Sequence, residues 1–350
     1  MATQRLAVSI VKWQRTHGRN NLPWQNTGDP YRVWLSEIML QQTQVSTVVE
    51  YYHRFLERFP TIEKLANADI DEVLALWAGL GYYARARNLH ACAKKVVAHW
   101  QGEFPLLAAE LQTLPGIGAS TAAAIAAFCG GQRVAILDGN VKRVLTRYFA
   151  IGDDIAQAAT TRHLWEIAQR EVPSRKQTLA EPDAMARYTQ GMMDLGATIC
   201  TRRKPQCGAC PLQRGCMAHQ LGTPEAFPYK AVKQRSKPSR DLDLIWLTFN
   251  EHVLLEKRPD QGVWGGLWCL PTDINVASQL ELGQPLRMAS FAHELTHFRM
   301  VITPWRLAIE SKQRQLPAVE RDQHWVALSQ LGDYGLPKPV RALLAASDER

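Results

Sequence analysis

Leu114-Pro115-Gly116-Ile117-Gly118-Ala119-Ser120-Thr121 opens the stretch that decides the fold of this chain, and Ala135-Ile136-Leu137-Asp138-Gly139-Asn140-Val141 closes it. The turn Gly116-Ile117-Gly118 lies between an apolar segment ending at Leu114 and an Ala-rich helix running to Cys129, with Ser120 and Thr121 near its start. The backbone N–H groups of 116 to 119 are therefore expected to point outward. Outward donors at a helix N-terminus form a phosphate cradle. Twenty residues after Gly118 comes Asp138, a lone carboxylate in the apolar, glycine-rich run Val134, Ala135, Ile136, Leu137, Gly139. Asp138 also reads as the N-cap of a helix over Asn140 to Phe149, and the two roles are compatible. One short unit thus carries a phosphate grip and a partly desolvated acid.

Working outward, the 350 residues are enough for two domains with ordinary cores. The net charge is +8, and it is uneven. Residues 1–230 hold 26 Lys and Arg against 19 Asp and Glu, whereas 231–350 hold 15 against 14. A polyanion is therefore expected on the first part. No apolar run approaches the roughly 18 residues of a membrane span, and Met1-Ala2-Thr3-Gln4-Arg5 lacks a signal-peptide core. These features predict a soluble, cytoplasmic protein that does not enter a membrane. Seven cysteines, four of them between 200 and 216, suit a reducing compartment and a metal site better than disulfides.

Residues 1–225 read as helices almost throughout, roughly ten of them, with turn signals at Leu22-Pro23-Trp24, Phe59-Pro60-Thr61 and Phe104-Pro105. A long helix is predicted over Tyr31 to Tyr52. Its apolar positions leave Glu37, Gln41, Gln42, Thr43 and Gln44 as a polar face with a single acid. Flanked by Trp34, Ile38 and Leu40, the Glu37 carboxyl is a candidate for desolvation and a raised pKa, as a general acid needs near neutral pH. A solvated surface Glu is the plainer alternative. A second glycine turn, Ala78-Gly79-Leu80-Gly81-Tyr82-Tyr83, precedes Arg85, Arg87 and Asn88. Tyr82, nearer the turn, suits a wedge into a base stack with arginines on phosphate behind it, while Tyr83 reads as interior packing. Cys200-x6-Cys207-x2-Cys210-x5-Cys216 offers four thiolates for one centre, either a [4Fe-4S] cluster or zinc. Arg202, Arg203, Lys204 and Arg214 decorate the loops between them, so the centre is expected to shape a phosphate-binding surface; His219 is not needed as a ligand.

From Gly222 to Arg240 the chain turns Pro-, Lys-, Arg- and Ser-rich and reads as a linker. The resulting division is 1–221 helical, including the cysteine loop, then 222–240 linker, then 241–350 as a small α+β domain. Strands are predicted at Leu244–Phe249, His252–Lys257, Gly266–Pro271, Phe298–Ile309 and His324–Ala327, with helices near Ala277–Leu282 and Pro339–Ala346.

A helix-hairpin-helix followed by Asp138 resembles the DNA glycosylases of the endonuclease III superfamily, and the cysteine spacing matches the iron–sulfur loop of that superfamily. Across nearly the whole chain the sequence resembles the adenine DNA glycosylases of the MutY type. The matches are Arg19-x2-Leu22-Pro23-Trp24, Trp34 to Gln44, Gly79 to Asn88, Leu114 to Gly118, Ile136 to Arg143, Met192-Met193-Asp194-Leu195-Gly196 and the four cysteines. The resemblance implies a helix-hairpin-helix glycosylase domain with a [4Fe-4S] cluster on Cys200, Cys207, Cys210 and Cys216, plus a Nudix-like α+β domain. It implies base excision repair by a monomer acting on double-stranded DNA with adenine mispaired to 8-oxoguanine or guanine. Family roles then fall on Glu37 as the acid that protonates adenine, Asp138 as stabiliser of the sugar cation, and Asn140 as its helper. Gln42 and Tyr82 enter the opened stack, and Gly116, Gly118 and Ser120 belong to the hairpin that holds DNA. Two carboxylates suit N-glycosidic cleavage, which needs a protonated leaving base and an anion near an oxocarbenium-like sugar. The base must first leave the helix.

Position 120 separates two classes of the superfamily. A lysine there attacks the sugar in bifunctional members, whereas Ser120 cannot form that imine, so a monofunctional enzyme leaving an abasic site is expected. The C-terminal domain lacks, after Gly262, the Arg-Glu and paired Glu residues that bind magnesium in Nudix hydrolases, so recognition without hydrolysis is expected there. The family's lesion-reading Phe-Ser-His aligns with Leu295-Thr296-His297, which keeps a hydroxyl and the imidazole but loses an aromatic face. A plain hairpin with His297 exposed is the other reading of that stretch. The competing functions are an endonuclease III-like enzyme for oxidised pyrimidines, disfavoured by Ser120 and the added domain, and a non-catalytic iron–sulfur DNA-binding protein, which has no use for Glu37 and Asp138 together.

Overall fold

The computed structural model describes residues 3–231, 237–273, 285–309, 316, 318–320 and 322–346. They form two compact units, 1–66 with 91–233 and 67–90 with 234–350. Described helices are α1 Thr3–His17, α2 Pro30–Leu40, α3 Val45–Arg58, α4 Ile62–Ala66, α5 Ile70–Trp77, α6 Ala84–Trp100, α7 Ala108–Leu111, α8 Ala119–Gly130, α9 Gly139–Tyr148, α10 Ala158–Arg170, α11 Arg175–Ala180, α12 Ala184–Thr198 and α13 Met217–Gln220. A last helix, α14, spans Lys338–Ala345. The strands are β1 Ser239–Phe249, β2 His252–Lys257, β3 Trp268–Cys269, β4 Leu286–Arg287, β5 Phe291–Glu294, β6 Arg299–Ile309 and β7 Gln323–Ala327.

In the helical unit, local chemistry sets the ends that matter. Asp29 caps α2 by accepting the Tyr31 N–H at 2.9 Å, with Pro30 at the first helical position. Asp138 caps α9, and Gly131 (φ 59°) ends α8 in the left-handed region. Ala122 to Ala127 of α8 are all buried, so α2, α7 and α12 pack close against a thin helix. The core gathers Leu6 and Ile10 of α1, Ile136, Val141 and Leu145 around α9, Leu164 of α10, and Met192 and Leu195 of α12. Each such side chain stabilises the fold by about 1.5–3 kcal/mol. Gly196 brings α12 against α9, since a Cβ there would lie 2.6 Å from the Asn140 Cβ.

The expected helix over Tyr31 to Tyr52 is in fact two helices. Gln41 leaves helical geometry (ψ 109°), Gln42 turns left-handed (φ 59°), and Gln44 starts α3. The apolar period continues across the break, which is why periodicity alone joins the two. The break turns the glutamines into a loop with Gln42 exposed.

The C-terminal unit is a mixed seven-stranded sheet whose main path runs β3-β2-β1-β6-β4, with β5 on β6 and β7 on β2. β1 and β6 run parallel over their full lengths, from Ser239 opposite Arg299 to Phe249 opposite Ile309. Leu244, Trp246, Val253, Leu255, Ile302 and Val326 form one buried face with Val340 and Leu344 of α14. β4 and β5 were not expected, being short or mostly polar. Residues 67–90, read from sequence as part of the first domain, group here with the sheet. Asp71 accepts Lys257 Nζ at 2.8 Å and Trp268 Nε1 at 3.1 Å, and the Tyr83 hydroxyl donates to Leu336 O at 3.3 Å. Such long-range partners leave no local signal. The expected helix near Ala277–Leu282 and residues 232–236 of the expected linker lie outside the described residues.

Candidate active site

Glu37 sits in the last turn of α2, half-buried between the fully or nearly buried Trp34 and Ile38. Among the described residues its carboxyl has no hydrogen-bond partner. Burial, with Asp138 as a second cause, pushes its carboxyl up to about 7. The solvated-surface reading of Glu37 therefore does not hold.

Asp138 follows the buried run Ala135-Ile136-Leu137. Its Oδ1 accepts the Val141 N–H at 2.7 Å, and its Oδ2 accepts Asn140 Nδ2 at 3.4 Å. Burial raises its pKa, while the Val141 and Asn140 N–H groups, the Arg143 guanidinium and the Asn140 amide oppose the rise. The charge is better compensated at Asp138 than at Glu37. Glu37 thus holds a proton closer to neutral pH than an ordinary carboxyl does.

One open cleft of about 1030 Å³ is bordered by Glu37, Gln42, Ser120, Asp138 and Asn140. A smaller cavity of about 140 Å³ lies beyond, bordered by Trp24, Ser36, Phe128 and Gln190. Glu37 is the one residue that borders both. The acid thus stands where the wide cleft meets a chamber of small-molecule size. Ser120 accepts the Leu137 N–H on its hydroxyl at 3.2 Å, which ties the hairpin helix to the segment that delivers Asp138. In the hairpin itself, Gly116 takes φ 75°, Ile117 is buried, and Gly118 caps α8 with Gly116, Gly118 and Ala119 exposed. The first-turn N–H groups of α8 have no intrahelical acceptors, as an anion site requires.

The second glycine turn belongs to the other unit. Gly79, Gly81 and Tyr82 all have positive φ (107°, 72° and 49°), and Tyr82 is 49% exposed. Tyr83 is half-buried and bonded, as its packing role predicts. The expectation of phosphate-facing arginines fails for Arg85 and Arg87. Arg85 is buried, donates to Leu80 O and Gly81 O and lies over Trp77, while Arg87 donates to Gly265 O. In the same unit, Thr296 and His297 are the exposed tip of the β5–β6 hairpin, closed by Leu295 N–H to Phe298 O at 3.0 Å. Leu295 and Phe298 turn inward to the core.

Cys200, Cys207, Cys210 and Cys216 border a single small cavity together with Arg147 and His219. Burial pushes the Cys210 thiol up to about 12 and raises Cys207 and Cys216 as well. Such thiols ionise when a metal centre replaces their protons. Among the described residues no three His, Cys, Asp or Glu side chains gather as ligands of a single ion, while the four thiols border one cavity and offer the all-sulfur donor set that an iron–sulfur cluster takes. The donors therefore fit the group. Arg147, only 2% exposed, donates to Cys200 Sγ and to the carbonyls of Thr201 and Arg202. Arg143 joins Cys200 O to Asn140 Oδ1, both at 2.7 Å. Neither arginine was singled out from sequence, and neither were Gln190 and the Arg19–Asp194 pair. For the last two, family motifs without an assigned role were the available signal.

Fold and site together define a helix-hairpin-helix base-excision glycosylase with an iron–sulfur loop. The model of the HhH-GPD superfamily base excision DNA repair proteins matches residues 35–170, the iron–sulfur binding domain of endonuclease III matches 200–216, and a NUDIX domain matches 244–346. The chain accordingly carries a [4Fe-4S] cluster. An adenine DNA glycosylase of Buchnera aphidicola subsp. Baizongia pistaciae is 35% identical over 352 residues, covering 98% of this chain and 97% of that protein. The Homo sapiens adenine DNA glycosylase is 35% identical over 320 residues, covering 75% of this chain and 56% of that one. This chain belongs to the adenine DNA glycosylase family, hydrolases of N-glycosyl bonds. Among solved structures, a thermostable thymine-DNA glycosylase aligns with TM-score 0.55 and 28% identity over 63% of this chain and 98% of its own. An endonuclease III solved in a non-covalent complex with DNA shares the fold at TM-score 0.51 and 20% identity, over 63% of this chain and 98% of its own. No described helix is long and apolar enough to cross a membrane.

Proposed function

We propose that this glycosylase hydrolyses the bond between adenine and deoxyribose where adenine is mispaired with 8-oxoguanine or guanine in duplex DNA, and that it stops at the abasic site. The observation that carries the reading is the placing of Glu37 on the border of both the cleft that holds Asp138 and the smaller cavity. The adenine swings out of the helix into the chamber, and Glu37 gives its proton to the base as the glycosidic bond breaks. The electron pair of that bond leaves with the base. Asp138, ionised and held by Val141 N–H and Asn140, faces the positive charge on the sugar until water adds to it. Asn140 keeps Asp138 ionised. Ser120 offers no amine, so no imine forms and no strand is cut.

The rest of the chain serves binding. Gly116 and Gly118 present the hairpin amides to a backbone phosphate, Gln42 and Tyr82 enter the opened stack, and Thr296 with His297 read the lesion opposite. On this reading 1–221 is the glycosylase domain, 222–240 a linker, and 241–350 a recognition domain without hydrolase activity. Cys200, Cys207, Cys210 and Cys216 hold the cluster, which braces the exposed loop of Arg202, Arg203 and Lys204 against DNA. The enzyme works as a cytoplasmic monomer. A single-turnover assay on duplexes with adenine opposite 8-oxoguanine, with and without alkali, tests this. Strand breaks only after alkali are expected; breaks without alkali sink the monofunctional assignment, and bound DNA with no adenine released sinks the enzyme reading.

A further inference from the structure

The glycine turn before α6 is followed by an arginine that the function above leaves unused. Arg85, in the first turn of α6, is buried, and its Nη2 reaches back to donate to Leu80 O at 3.1 Å and to Gly81 O at 3.2 Å. Gly81 O also accepts Trp77 Nε1 at 3.2 Å, and Trp77 is wholly buried. The guanidinium carbon lies 5.2 Å from the centre of the Trp77 ring and 5.7 Å from that of Tyr82. A line of contacts therefore runs from a core tryptophan through Arg85 to a tyrosine that is 49% exposed.

Tyr82 needs such support. Its φ of 49° is left-handed, as is that of Gly81 at 72°. A residue with a Cβ keeps that conformation only where its surroundings impose it. The Arg85 N–H donates to Tyr82 O at 2.8 Å, so the same residue holds the turn through its backbone and through its side chain. A planar fork can grip two carbonyls while lying against two rings, which the single ammonium of a lysine cannot.

Resting on the reading that Tyr82 enters the opened stack, we propose that Arg85 is a positioning residue: it fixes residues 79–82 from within and presents Tyr82 as a preformed wedge, without itself touching DNA. A ring already held in its bound conformation loses less entropy when it inserts.

The test is a double-variant cycle on the full-length, cluster-loaded protein. It reads the Kd for a duplex with 8-oxoguanine opposite an uncleavable adenosine analogue, together with the slope of that affinity against salt. Tyr82→Ala is expected to weaken binding by about tenfold, the worth of one ring stacked on a base. Arg85→Met should weaken it by about fivefold when Tyr82 is present and not at all when Tyr82 is already alanine, because the arginine acts only through the ring. The salt slope stays at the wild-type value. Equal losses in both backgrounds make Arg85 a general support of the fold, a slope reduced by about one makes it a phosphate contact, and either result overturns the proposal. Binding unchanged by Arg85→Met in both backgrounds overturns it as well, while leaving Tyr82 a wedge. Melting temperature checks that the variants are folded. Should Arg85→Met not fold, Arg85→Lys, which keeps the charge without the fork, decides by the same cycle. If Tyr82→Ala binds as tightly as wild type, the wedge reading of Tyr82 fails and takes the inference with it.

Discussion

Glu37 lies in the last turn of α2 and Asp138 caps the first turn of α9, so two helix ends of opposite polarity present their acids to one cleft. The carbonyls crowded at the α2 end disfavour a carboxylate, whereas the free N–H groups at the α9 start favour one. Glu37 has burial without a hydrogen bond; Asp138 has burial offset by Val141, Asn140 and Arg143. Burial raises both carboxyls, and only at Asp138 do hydrogen-bond donors and a guanidinium oppose the rise. The two carboxyls therefore differ in which end of a helix each occupies and in what else shares the burial, and the roles proposed above for them rest on that difference.

That contrast breaks most visibly at Glu37. Glu37→Gln removes the transferable proton and is expected to lower the single-turnover rate by about 10²–10⁴-fold. In wild type the rate is highest below about pH 7 and falls as pH rises through the Glu37 pKa; a rate indifferent to pH from 6 to 9 refutes the assignment of the acid. Asp138→Asn keeps the cap but removes the charge, and a loss of about 10²–10³-fold is expected while DNA binding is retained, measured by titration of a duplex with an uncleavable adenosine analogue.

Stability shows the same asymmetry from the other side. Glu37 releases its proton near pH 4.5 when unfolded and near 7 when folded. Across that window the fold retains a proton the unfolded chain has lost, so its contribution to stability is full below about 4.5, declines as pH rises, and stays low above 7. Glu37→Gln has no charge to bury. At pH 8 it should therefore be more stable than wild type, by up to about 3 kcal/mol, with the difference vanishing near pH 4, as melting curves at the two pH values will show. A less stable variant at pH 8 counts against desolvation as the cause. The smallest effect is expected at Asn140, whose amide donates to Asp138 over 3.4 Å. Asn140→Ala should cost about tenfold in rate and shift the acidic limb of the profile upward, because Asp138 then holds its proton to higher pH; an unmoved limb assigns Asn140 to packing alone.

The hairpin, the cysteine loop and the pair Glu37 and Asp138 were legible before any coordinates, because each is a short motif whose chemistry is local. The cap role of Asp138 and the α+β character of the C-terminal part were legible for the same reason. The break at Gln41–Gln44 was not, since the apolar spacing runs through it. Arg85 and Arg87 misled because a basic residue near a turn looks alike whether it meets phosphate or a carbonyl such as Gly265 O. The bonds that tie residues 67–90 to the sheet were not legible either, because nothing near Asp71 in sequence announces Lys257 or Trp268.

By itself, then, the sequence determined the family and the cysteine loop of the cluster, and it singled out Glu37 and Asp138 as candidate acids, all carried by residue type and spacing over a few turns of chain. Tertiary structure alone decided that Glu37 is desolvated without a side-chain partner while Asp138 is held by Val141 and Asn140, and that Arg143 and Arg147 reach the cysteine loop. Those outcomes depend on burial and on partners tens to hundreds of residues away, as with Arg19 and Asp194, and a hydrogen bond or a lost hydration shell has no address in local sequence.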